Sequence, residues 1–132
     1  MTRFPVVVSL MSLAFGTCVV AAAQEEPAFA GLWKGTSVCQ IKDSPCHDEG
    51  ALYTVKKSAA PDSFEFSGRK VVDGQETFMG LLECKLGNQP GSLICRQADM
   101  AVWTWKLDGD SMSGTLMFHG QLYRKIQLTR AK

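Results

Sequence analysis

The chain has almost no charge of one sign to spare. Fourteen basic residues stand against thirteen acidic ones, a formal net charge of +1 over 132 residues. That balance argues against a nucleic-acid partner, because phosphate binding draws on a basic surplus. Histidine occurs only at His47 and His119. No G-x-S-x-G, no H-E-x-x-H and no phosphate-cradling glycine loop occurs. Ser37 lacks a visible His–Asp partnership, so no enzyme is expected. After residue 23 no long apolar run appears, so the mature protein should have no integral membrane span. No twelve-residue segment there shows a 3.6-residue period, which argues against a helical bundle. Repeats, low-complexity tracts and linkers are also missing, which leaves one domain. What is present is 45% hydrophobic residues, 12 glycines and 9% aromatics. This is the profile of a turn-rich β protein.

Residues 1–23 read as a secretory signal. Arg3 gives the positive start, residues 4–15 are nearly all apolar, and Ala21-Ala22-Ala23 fits a small-residue cleavage pattern. Cleavage there makes Gln24 the first residue of a mature domain over 24–132, exported to the periplasm or secreted. Cys18 follows Phe15-Gly16-Thr17, a poor match to a lipoprotein cleavage site.

From Trp33 the pattern has a period of two. Trp33, Gly35, Ser37, Cys39 and Ile41 share one face, and Lys34, Thr36, Gln40 and Lys42 the other, with Val38 the exception. Asp43-Ser44-Pro45 ends this run. Further strands are expected over 51–57, 63–72, 77–86, 92–97, 101–107, 112–119 and 122–130. Asp73-Gly74 gives a strong hairpin signal. Eight short strands joined in chain order by short turns can close into an antiparallel up-and-down barrel, which removes exposed edges. A two-sheet sandwich is the competing arrangement.

The mature chain has four cysteines, and an even count in a small exported protein suggests disulfides. Their spacings are not the short pairs of structural zinc sites, so no metal is expected. The turn at 87–91 sets Cys84 opposite Cys95, and Leu86 opposite Leu93. That register predicts a Cys84–Cys95 bridge and leaves Cys39–Cys46 as the second.

Gly31-Leu32-Trp33 opens the first strand, and Arg124 lies on the last, in phase with Leu122, Ile126 and Leu128. This resembles the calycins, the lipocalins and their relatives, whose barrels open with G-x-W and set an arginine of the final strand across that tryptophan. The chain also looks like small exported bacterial proteins opening with W-x-G-x-S-x-C. It departs from lipocalins in being shorter and in lacking their T-D-Y turn and C-terminal helix. The resemblance implies a lipocalin-like barrel closed by a Trp33–Arg124 contact, a structural motif rather than a ligand site.

Trp103 and Trp105 share a strand face with Ala101 and Leu107. With Ser37 on the inner face, they are the ligand-binding candidates. Cys46-His47-Asp48-Glu49 is the densest polar cluster, and reads as a solvated loop tethered by a disulfide. The expected function is to bind one small hydrophobic or amphipathic molecule in the barrel mouth, without a cofactor. The alternative is a filled-core barrel that binds a protein partner, such as an envelope hydrolase that it inhibits.

Overall fold

A computed structural model describes residues 16–18, 28–98 and 100–132. The Ala23–Gln24 cleavage point lies outside the described residues. Eight strands run β1 (Gly31–Cys39), β2 (Glu49–Lys57), β3 (Ser63–Val72), β4 (Gln75–Leu86), β5 (Ser92–Gln97), β6 (Ala101–Asp108), β7 (Ser111–Phe118) and β8 (Gln121–Arg130). They close into one barrel in chain order, each antiparallel to its neighbours, with β8 returning to β1. The up-and-down barrel is therefore the fold, and the sandwich is not.

The turns follow from residues that tolerate positive φ. Asp73 and Gly74 have φ of 51° and 76°, the sign a two-residue hairpin loop needs at both positions. β1 ends two residues earlier than its alternation implies. Cys39 is bonded to Cys46, and its N–H donates to Asp48 Oδ1 at 2.9 Å, which turns the chain away. The second disulfide joins Cys84 and Cys95, directly paired residues of β4 and β5. Both bridges are as the sequence predicts.

The strand starts of β1, β3, β5 and β7 gather at one end, which is closed. There Trp33 is fully buried, its indole N–H donating to Phe29 O at 2.8 Å. Phe29 meets Phe64 edge-on at 5.4 Å. The arginine above Trp33 is Arg130, 4.3 Å from the ring centre, and not Arg124. The β1–β8 register decides this: Trp33 pairs with Arg130, while Arg124 pairs with Cys39, six residues along the strand. At about 3.4 Å per residue, that puts Arg124 roughly 20 Å away, near the opposite rim. The barrel-closing contact implied by the resemblance thus exists, but on a different arginine.

Above this end lies an aromatic layer. Trp105 stacks on Phe66 at 5.1 Å, and Tyr53 meets Trp105 edge-on at 5.2 Å. Gly114 faces Trp105 so closely that any side chain there would collide with the indole.

One junction of the ring is short. β4 pairs with β5 only through Cys84, Lys85 and Leu86. Beyond Cys84 the two strands part, so residues 75–83 have no strand partner on that side. A bulge between Gly68 and Arg69 of the β3 register bends this part of β4.

Candidate functional site

The open end gathers the strand ends on the Cys39 side of the barrel. A cavity of about 220 Å³ enters here. Its apolar wall includes Ala51, Leu82, Trp103, Leu116 and Ile126, with Met79 and Leu81 from the unpaired stretch of β4. Polar groups reach it from Ser37, Tyr53 and Gln97, and charged ones from Glu49, Arg69, Lys70 and Arg124. The volume is below the roughly 300–1,000 Å³ of pockets for drug-sized ligands. A second hollow of about 400 Å³ adjoins it, sharing Glu49, Lys70 and Arg124 and bounded by the 45–48 loop and Tyr123.

Arg124 organises the mouth. Its Nη1 donates to Ser37 O at 3.4 Å, Ser37 Oγ at 3.2 Å and His47 O at 3.0 Å. Glu49 Oε1 lies 3.7 Å from the same nitrogen, an ion pair in which both side chains are largely shielded from solvent. The guanidinium therefore ties β1, β8 and the disulfide-bounded 40–48 loop together. Its charge is screened less than that of a surface arginine.

Of the three ligand candidates, Ser37 and Trp103 line the cavity. Trp105 does not. It sits two residues further toward the Trp33 end, sealed in the core, and its indole N–H has no acceptor among the described residues. Shared strand face put the two tryptophans together, but face says nothing of depth along the barrel. Sequence reasoning missed Tyr53 and the true role of Arg124. Glu49 had a signal, since it ends the Cys46-His47-Asp48-Glu49 cluster, but its position opening β2 could be seen only once the strand was placed. Among the described residues, no group of three His, Cys, Asp or Glu converges to hold a metal ion. Among the described residues there is no helix long and apolar enough to cross a membrane, which does not bear on strands.

The Tyr53 hydroxyl is pushed up from 10.0 to about 12, chiefly by burial, with Glu49 adding and Arg124 opposing. Folding thus favours the neutral phenol. That contribution is complete below about pH 10 and is lost as pH rises through 12. Unfolding free energy of the native chain should fall by roughly 2–3 kcal/mol more than that of Tyr53→Phe across this window. Chemical denaturation at stepped pH measures it, and parallel curves for the two proteins would refute the burial of the phenol.

The chain matches no protein-family model and no curated protein.

Proposed function

We propose that this is an exported, lipocalin-like barrel that holds one small hydrophobic or amphipathic molecule in its open end. The observation that carries this reading is the cavity. It combines a mostly apolar wall with a few convergent polar groups, the usual make-up of a small-molecule site. Export rests on the signal-like residues 1–23 and on two disulfides, a bond type that persists in oxidising compartments. Native mass spectrometry of the protein recovered from its producing cell tests both parts. The expected spectrum shows a chain beginning at Gln24 with one small molecule attached, which denaturation releases. Leu116→Trp, which fills the cavity, should lose the adduct. A protein free of adduct that also fails to take up any added apolar probe would defeat the reading.

One observation favours the second reading, a protein-binding barrel. Phe78, Met79 and Leu81 are 61%, 60% and 54% exposed on the unpaired stretch of β4. Free strand edges with apolar side chains are places where another chain can pair. Phe78→Glu, outside the cavity lining, should spare small-molecule uptake and lose the partner, whereas Leu116→Trp should spare any protein partner.

A further inference from the structure

We infer that the cavity takes an anionic amphiphile, its negatively charged oxygen head held by Arg124 and Lys70 and its short apolar body lying against Trp103, Leu116 and Ile126. The inference rests on the small-ligand reading above and adds the chemistry of the ligand.

Charge is the first ground. The ionisable lysines, arginines and carboxylates lining the cavity are three cations, Arg69, Lys70 and Arg124, and one anion, Glu49. In a chain whose formal charge is only +1, this is a local concentration of positive charge. Arg69 is answered by Glu76 at 3.5 Å, outside the cavity lining. Lys70 makes no ion pair among the described residues.

The second ground is the hydrogen-bond inventory of Arg124. A guanidinium carries five N–H donors in a planar fork. Every hydrogen bond of Arg124 runs through Nη1, which two backbone carbonyls and the Ser37 hydroxyl share, while the guanidinium carbon lies 5.7 Å from the centre of the Tyr123 ring. The three N–H groups on Nε and Nη2 have no acceptor among the described residues. Glu49, at 3.7 Å, offsets part of the charge but stays beyond hydrogen-bond reach. An unfilled, partly buried fork at the mouth of an apolar cavity suits a carboxylate, sulfate or phosphate head. Tyr53 adds a neutral O–H donor on the same lining. The 220 Å³ volume limits the body to a short chain or a single ring system.

Titration with a matched series tests the inference, read by tryptophan fluorescence and calorimetry: octanoate, octyl sulfate, octyl phosphate, 1-octanol and octylammonium. At least one anionic probe should bind about tenfold or more tighter than 1-octanol, on the scale of one charge-assisted hydrogen bond, with octylammonium weakest. The ranking among the three anions identifies the head group. Added salt should weaken the anions and leave 1-octanol unchanged. Arg124→Met should bring the anions down to the level of 1-octanol. Lys70→Glu, which leaves the Arg124 contacts in place, should weaken the anions and strengthen octylammonium. If 1-octanol binds as tightly as every anion, or Lys70→Glu leaves the order unchanged, the head-group inference fails while the small-ligand reading stands. If no probe binds saturably, both fail.

Discussion

Arg130→Ala is expected to destabilise the protein by about 3 kcal/mol. The side chain closes the Trp33 end of the barrel in four ways. Its guanidinium lies over the Trp33 ring at 4.3 Å. Nη2 donates to Ala28 O at 2.6 Å, Nη1 to Ala30 O at 2.8 Å, and Nε to Asp110 Oδ1 at 3.2 Å. A cation over an indole contributes about 0.5–2 kcal/mol, depending on desolvation. Hydrogen bonds from a charged donor add about 1.5–3 kcal/mol each when shielded, and less here, where the arginine stays partly open to solvent. Asp110 is well exposed, so that pair adds little. For a domain of this size, the loss corresponds to a fall in Tm of roughly 10–20 °C. Arg130→Lys should recover only part of it, because a point charge cannot stack and fork together. Lys125→Ala, on the exposed face of β8, should change stability by less than about 0.5 kcal/mol. Equal melting temperatures for Arg130→Ala and Lys125→Ala would remove Arg130 from the closure of the barrel.

Gly35→Ala should cost at least about 3 kcal/mol, and for a different reason. Gly35 lies on β1 between Ala51 of β2 and Leu128 of β8. A Cβ there would collide with the carbonyl oxygen of Gln127 and come within 2.9 Å of Leu128 Cα. Both obstacles are backbone, so no rotamer change relieves them. The β1–β8 junction must separate, and overpacking that moves backbone lies at the severe end of its usual 1–3 kcal/mol. Gly74→Ala is the contrast. It has open space around it but a φ of 76°, so it should cost only about 1–2 kcal/mol. Denaturant midpoints of the two variants decide the matter. If Gly35→Ala unfolds within 1 kcal/mol of the native chain, the close crossing of β1 and β8 is wrong.

These two positions also show what a sequence can and cannot carry. Alternation places Trp33, Gly35 and Ser37 on one face, and it places Arg124, Ile126 and Leu128 on one face. It is a local signal, so it fixes inside and outside. Which arginine meets Trp33 depends on how far β8 slides along β1 when the ring closes, and no hairpin joins those strands. Cys84 and Cys95 are different, because the 87–91 turn sets their register locally. The cavity belongs to the non-local class as well. Its wall draws on all eight strands, β5 contributing only its last residue, Gln97. Tyr53 and Lys70 carry no motif of their own and become site residues only through that assembly.

The short β4–β5 ladder gives the Cys84–Cys95 bond a particular mechanical place. Only three residue pairs fasten that junction, and one of them is the disulfide itself, whereas the other seven junctions are longer ladders. The bond closes a loop of eleven residues, and restricting the unfolded chain in this way contributes about 3 kcal/mol. A second effect falls on the folded ring. A hoop fails at its weakest joint, and here that joint is riveted covalently. With the thiols oxidised, breathing of the wall must begin elsewhere. With them reduced, a ladder of three residue pairs would alone separate a continuous hoop from a curled eight-stranded sheet with two loose ends. The redox state of the compartment therefore bears on whether the molecule has an inside at all.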